Sequence, residues 1–509
     1  MAGARLWSSK RFAERMERPS RRLIGPLASA ATGCYARGAA LLSVVYLLAL
    51  LPLIRVNYSY GDDRGRVLMG YDGWENFSRY VSDGLSHVIH AGGYLDDISP
   101  LPQLIAIVLT AVAACVLIRA FSGGLSDGRG LAWMLVAAVP MGLSPYYLEC
   151  LSFKFDAPYM ALSLLASVAP LLLREKRCGG YVALATVVST LVVCTTYQAS
   201  LGVLPMAVLA LAFVDWVQGA SLRETSRSVA YYAVGWIVGV LLFRFVVMQP
   251  IPDVDSYVSS SVGTLGSIVA NYVGFFSLVR SDFNFAWEAL FLVITVCFIA
   301  AAVSRREKNK VLTGVFGIIL AIAMFPLSFG VYPFLEKPLM APRAMLGVGV
   351  FISIVSMVAI TLTRQGFRSI PVKLAITTFS WSLIVFAATY GNAVYEQGEY
   401  ERFRTYEVLN ALASSEEYVQ AQDRKIQVVG SIGPCPVVRN KNNALLGRLM
   451  MTGLDSGYFG SMKLLSYYNI GARRVVDIPE DTWKFWPVLD ESLYHTIYAS
   501  ENEFVVVLK

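Results

Sequence analysis

The 509 residues are 56% hydrophobic and only 16% charged, with a formal net charge of +7. That balance excludes a soluble globular chain. It also argues against nucleic acid as a partner, because the Lys and Arg residues form short clusters between apolar runs and never one basic face.

The chain begins "MAGARLWSSKRFAERMERPSRRLIG", Arg-rich and without an apolar core, so no cleavable signal peptide is expected there. Residues 1–38 read as a cytoplasmic basic N-terminus and the first apolar run as a signal anchor. Runs long enough to cross roughly 30 Å of hydrocarbon predict about eleven helices. They lie near residues 39–54, 100–118, 131–147, 158–173, 181–196, 199–216, 229–248, 286–303, 312–330, 344–363 and 373–390. The fold class expected is therefore a polytopic α-helical membrane protein, with residues 39–390 as the transmembrane part.

Charge in the connections gives the orientation, since cytoplasmic loops are enriched in Lys and Arg. Every second connection is basic: "RAFSGGLSDGR", "REKR", "SLRETSR", "SRREKNK" and "RQGFRSIPVK". The intervening loops, including the first at about 55–99, then face outward. So does the polar segment 391–509, about 120 residues, which suits a small α/β domain. In it "KIQVVGSIG" reads as a strand running into a turn and "HTIYASENEFVVVLK" as a hairpin. "GSIGPC" has the wrong spacing for a dinucleotide fingerprint. The seven cysteines have no C-x-x-C spacing and read as small hydrophobes. Only Cys150 and Cys435 are expected to reach the outer side, and no disulfide framework is implied.

The first outer loop is longer than two neighbouring spans require. It opens with "NYSYGDDRGR", which sets Asp62 and Asp63 among Arg64 and Arg66 just beyond the first span. One of the two carboxylates can serve as a general base while the other orients it or binds substrate; the sequence leaves open which. Arg64 and Arg66 are expected to keep the base ionised. Trp74, Phe77, Val81, Leu85 and Val88 follow at three- and four-residue steps and predict one amphipathic helix in the membrane interface.

Further polar residues collect on the same side. Asp96, Asp97 and Gln103 precede or begin the second span; Glu149, Lys154 and Asp156 lie in the second outer loop; Tyr197 and Gln198 occupy a tight turn; Lys337 and Arg343 come late. Each alone suits a helix end, but together they predict a polar cavity able to take an anionic lipid. Arg244 either snorkels to the interface or lines that cavity. His87 and His90, without a third histidine nearby, do not make a zinc site. "GWIVG" at 235–239 is a small-xxx-small pattern suited to helix packing.

The order Asp62, Asp63, Arg66, Gly70, Trp74, Arg79, then Asp97, Ser99, Pro100 and Gln103, resembles the GtrII-type integral membrane glucosyltransferases of bacterial O-antigen modification. "LSFKFDAPYM" and "TYQAS" fit the family's next two outer motifs, and Arg343 matches its late arginine. Lys154 departs from an arginine before the Phe-Asp pair, which leaves open whether that position grips phosphate bidentately. The resemblance implies a GT-C-like fold in the bacterial inner membrane, N-terminus cytoplasmic and C-terminal domain periplasmic. It implies glucose transfer from undecaprenyl-phosphate-glucose to a sugar hydroxyl of the lipopolysaccharide O-antigen. Asp62 or Asp63 is then the catalytic base. Arg66, Trp74, Arg79, Asp97, Gln103, Lys154, Asp156, Tyr197, Gln198 and Arg343 are substrate-binding candidates, with Arg343 plus Lys154 or Arg66 on the departing phosphate. One base and one displacement predict inversion. No cofactor is implied and no metal is required by these residues. Membrane lipid, a flippase and a donor-lipid synthase are the implied partners. Transfer of another polyprenyl-phosphate sugar is the nearest alternative. A lipid-linked sugar transporter is the other, though transporters place polar groups near the midplane of repeated, interrupted helices.

Overall fold

A computed structural model describes residues 33–122, 128–174, 178–249, 257–306, 309–364, 366–441, 443–457, 463–475 and 478–509. Most of the basic N-terminus and parts of several basic connections fall outside these residues. Helix α1 (Cys34–Val56) runs into the first outer connection, which carries α2 (Asp63–Met69) and α3 (Tyr80–Ile89). Then come α4 (Leu101–Ser122), α5 (Gly128–Leu143), α6 (Pro145–Ser152), α7 (Ala157–Val168), α8 (Gly179–Cys194), α9 (Val203–Val217) and α10 (Leu222–Leu242). The series continues with α11 (Leu265–Asp282), α12 (Phe285–Arg305), α13 (Lys310–Leu327), α14 (Gly347–Leu362) and α15 (Ile370–Ser414).

Each of the eleven apolar runs is helical, because backbone N–H and C=O groups in hydrocarbon must pair within their own segment. Among the described residues eight helices are long and apolar enough to cross a bilayer, or nine if the bent pair α5 and α6 is one span. The remaining two, 157–173 and α8, are shorter apolar helices. α5 and α6 meet at a 57° break, where Ser144 accepts the Tyr147 N–H and Pro145 starts the new helix. α14 is central, with 94% of its span buried, whereas α1, α10, α12 and α13 each leave most of theirs exposed. That distribution suits an outer ring of helices facing lipid.

α11 had no counterpart among the predicted elements. The single amphipathic helix expected over Trp74–Val88 is also not what forms. A short 3-10 turn at Glu75–Phe77 ends with Ser78 in the left-handed region, and α3 begins only at Tyr80. Trp74 is buried with Leu95, Phe155 and Tyr159, while Val88 is 73% exposed. α3 docks through its serine face: Ser82 and Ser86 are buried, and the Val81 and Ser82 N–H groups bond to the Thr195 carbonyl. Backbone pairing to the 195–196 turn outweighs the apolar periodicity that suggested one helix.

α15 is 45 residues long and continues straight through the expected boundary at 390. Its far end packs under a five-stranded sheet of order β2-β1-β5-β4-β3, from β1 (Arg424–Val429), β2 (Ala472–Arg474), β3 (Val488–Glu491), β4 (His495–Ser500) and β5 (Glu503–Leu508). β1 is parallel to β2 and β5, and β4 pairs antiparallel with β3 and β5. The strand and hairpin read from the alternating pattern are therefore present. Val408 and Leu412 of α15 join Ile426, Ile497, Phe504 and Val506 in the core of this domain. Cys435, Val438, Leu445, Leu446 and Leu449 instead belong to the core of the helical part, so the sheet domain is anchored on both sides of β1. Cys150 and Cys435 are both buried free thiols.

The "GWIVG" glycines lie where α10 crosses α8. A Cβ on Gly235 would come 2.4 Å from the Ala183 carbonyl oxygen and one on Gly239 2.7 Å from Thr190 Cβ. Gly235→Ala should push these backbones apart and cost about 1–3 kcal/mol, read as a lowered Tm of the detergent-purified protein. Gly180→Ala, with nothing near its Cβ, should leave Tm level or slightly raised.

Candidate active site

After Asn57 ends α1 in the left-handed region, Gly61 turns the chain at φ 53° into the short α2. Helical geometry then sorts four charged neighbours. Asp62 and Arg66 are four residues apart and share a face, while Asp63 and Arg64 point elsewhere.

Asp63 is fully buried. Its Oδ2 accepts the Lys154 N–H at 2.9 Å and the Tyr60 N–H at 3.4 Å, and its Oδ1 accepts the Phe155 N–H at 3.4 Å. This carboxylate fastens the first outer connection to the second. Burial pushes its pKa up to about 8, with Arg66 and the Lys154 amide pulling the other way. Asp62 is only partly exposed, yet among the described residues its carboxylate accepts no hydrogen bond. Burial raises its pKa above the ordinary carboxylate value; Arg66, Arg343 and Arg79 oppose the shift and Asp156 adds to it. Three arginines and one further carboxylate therefore act electrostatically on a free oxygen pair.

Arg66 is held firmly. It forms an ion pair with Asp156, donates to the Asp72 carbonyl at 3.2 Å and lies 4.4 Å over the Trp74 ring. Trp74 Nε1 donates to the other Asp156 oxygen at 2.6 Å, so each oxygen of Asp156 is engaged and the carboxylate orients Arg66. The buried Arg66 Nε has no partner among the described residues. Arg343 donates from Nη1 to Glu149 at 3.0 Å and from Nη2 to the Tyr257 hydroxyl at 2.7 Å, with its guanidinium 4.8 Å from the Phe153 ring. Arg79 lies 5.0 Å from both the Phe77 and Tyr197 rings and bonds to Gln198 Oε1 at 3.4 Å. Gln198 is oriented by its own bond to the Phe77 carbonyl. Arg79 makes no ion pair among the described residues, and the buried Tyr197 hydroxyl beside it is unpartnered there.

One expectation needs correction, and one candidate has partners of its own. Arg64 does not support the base: it turns away from Asp62 to Glu401 of α15, at 3.3 Å, and to the Tyr58 hydroxyl at 2.7 Å. Two residues along a helix from both Asp62 and Arg66, it has no other direction open. Lys154 is paired within the protein. It is 1% exposed, and its Nζ donates to Asp97 at 2.6 Å and to Asn57 at 2.9 Å. Asp97 is thereby held below its ordinary pKa: burial raises it, but the Lys154 and Ser99 hydrogen bonds prevail. Gln103 is buried nearby with an unpartnered Oε1. Arg244 contacts Met248 Sδ at 3.9 Å and lies among none of these groups. Asp72, Asp83 and His87 bring one ligand atom each within 4.8 Å of one another, on partly exposed side chains outside the Asp62 cluster.

Sequence reading missed Tyr257, which joins Arg343, and Tyr58 and Glu401, which hold Arg64; none carries a local motif and each meets its arginine only through folding. Glu401 is fully buried and receives Arg64, the Tyr58 hydroxyl at 2.6 Å and the Gly453 N–H. Glu401→Ala would leave Arg64 buried without its counter-charge and should cost about 3–5 kcal/mol of stability. Chemical denaturation should show part of this loss recovered by adding Arg64→Met.

The family model described as Glucosyl transferase GtrII matches residues 51–387, more than half of the chain. An uncharacterized 55.3 kDa protein in the gtrB 5' region of Salmonella phage P22 is 24% identical over 419 residues, or 78% of this chain and 82% of the phage protein. No solved structure matches. The family match spans the last turn of α1 to the middle of α15, and so contains Asp62, Arg66, Arg79, Asp156 and Arg343. The chain belongs to the GtrII glucosyltransferase family.

Proposed function

We propose that this protein transfers glucose from undecaprenyl-phosphate-glucose to a sugar hydroxyl of the lipopolysaccharide O-antigen, on the periplasmic face of the bacterial inner membrane. Nucleotide sugars are not supplied on that side, so an activated donor has to arrive attached to lipid and be met where hydrocarbon gives way to water. The basic connections favour that side for the Asp62 loop. Supply of the donor requires a donor-lipid synthase and a flippase elsewhere in the membrane.

The observation that carries the reading is the Asp62 carboxylate, free of hydrogen bonds among the described residues, one helical turn from Arg66 and within the electrostatic influence of Arg79 and Arg343. Asp62 accepts the proton of the acceptor hydroxyl as that oxygen attacks the anomeric carbon. The new glycosidic C–O bond forms while the bond from the anomeric carbon to the phosphate oxygen breaks, its electron pair leaving with undecaprenyl phosphate. Attack opposite the leaving group inverts the configuration. Arg79, which has no carboxylate partner among the described residues, and Arg343 stabilise the charge growing on the phosphate. Arg66 is fixed by Asp156 and Trp74 and keeps Asp62 ionised against its burial. Asp63 holds the loop in place, a structural role distinct from that of the base.

Purified protein in liposomes, given radiolabelled undecaprenyl-phosphate-glucose and O-antigen, tests this directly. Asp62→Asn should lower turnover by about 10²–10⁴-fold at unchanged Tm, whereas Asp63→Asn should lower Tm as well as activity. Full transfer by Asp62→Asn would show that another group is the base. A base works only when deprotonated, and the Asp62 pKa is raised. The wild-type rate should therefore fall with decreasing pH at an inflection above the ordinary carboxylate range, and the residual rate of Asp62→Asn should lack that inflection.

A further inference from the structure

Between the outer end of α1, the outward extension of α15 and the 463–468 turn of the sheet domain lies a cavity of about 610 Å³, within the usual size of a ligand site. It is not the Asp62 cluster. Arg64 contributes to its wall, and α2 separates it from the base. We propose that this cleft binds a neutral stretch of the acceptor oligosaccharide, a role that rests on the glycosyl-transfer reading above.

Tyr395 and Tyr467 line the cleft with rings 44% and 40% exposed, and Tyr468 stands beside Tyr467 at 6.3 Å. Exposed tyrosine faces suit the C–H faces of pyranose rings, and their hydroxyls can pair with sugar hydroxyls. Two of the three arginines around them are paired with glutamates. Arg402 is paired with Glu399 at 2.9 Å, Arg64 with Glu401 at 3.3 Å, and Arg55 donates to Asn392 Oδ1 at 2.8 Å while lying near the Tyr395 ring. A phosphate group seeks cations not already neutralised. Arg64 and Arg402 are already neutralised by carboxylates, and of the three arginines Arg55 alone, held by an amide and a ring, keeps its charge; the remaining hydroxyl and amide groups of the lining suit hydroxyls that both give and take hydrogen bonds. The cleft and Asp62 lie on different sides of one helix, a distance of roughly 10 Å. A polymeric acceptor can occupy both places at once, and a single sugar cannot.

The test titrates full-length detergent-purified protein with fluorescently labelled, delipidated O-polysaccharide and follows anisotropy. Tyr395→Ala and Tyr467→Ala should each weaken binding about five- to tenfold and together more, with the same loss appearing in the acceptor KM. The phenylalanine variants, which keep the rings, should retain most of the binding, and Asp62→Asn should bind like wild type. Unchanged polysaccharide affinity in both alanine variants overturns the proposal. So does a loss confined to liposomes containing phosphatidylglycerol, which would make the cleft a lipid headgroup site. If wild type binds polysaccharide through these tyrosines yet transfers no glucose, the cleft stands and the catalytic reading falls. If transfer is normal while binding ignores the tyrosines, the reverse holds.

Discussion

With its two oxygens shared among the N–H groups of Tyr60, Lys154 and Phe155, the Asp63 carboxylate joins the first outer connection to the second. A buried carboxylate needs such donors to remain folded inside, and buried amide groups need such acceptors. Once this joint is made, α2 has a fixed rotation about its axis. Asp62 and Arg66 then face Asp156 and Arg343, and Arg64 faces α15. The chemistry proposed for Asp62 depends on a neighbour that takes no part in it.

The electrostatics of the cluster follow from which charges are already matched. Arg66 and Arg343 sit against Asp156 and Glu149, which orient them and reduce the charge they present. Arg79 is oriented by two aromatic rings and a glutamine instead. It therefore keeps its full charge, as the proposed contact with a donor phosphate requires. Aromatic and amide contacts hold a guanidinium without neutralising it.

α15 gives the sheet domain a mechanical connection to the site. It leaves the helical core, supplies Glu401 to Arg64 and Tyr58, and ends beneath β1 and β5. The segment between β1 and β2 returns to the helical core through Leu445, Leu446 and Leu449, and the Leu449 carbonyl accepts the Tyr60 hydroxyl at 2.8 Å. Arg448 reaches Asp282 of α11 at 3.3 Å. The loop carrying Asp62 is thus braced from both the helical core and the sheet domain.

The sequence by itself determined the eleven apolar helices, though not α11 or the break before α3, because a segment of apolar residues in hydrocarbon has no other way to satisfy its backbone, and it determined the β4–β5 hairpin through alternation around a polar turn. It also carried the ordered set of outer residues that resembles the family, and the glycines that let α8 and α10 cross closely. What it left open was the division of labour within that set. The deciding contacts join residues far apart in the chain: Lys154 to Asp97 over 57 residues, Arg66 to Asp156 over 90, Arg343 to Glu149 over 194, and Arg64 to Glu401 over 337. Only the tertiary structure separates Asp62 from Asp63, turns Arg64 away and neutralises Lys154. Local pattern fixes which face a residue occupies within its own element, while the partner waiting on that face is set by how the elements pack.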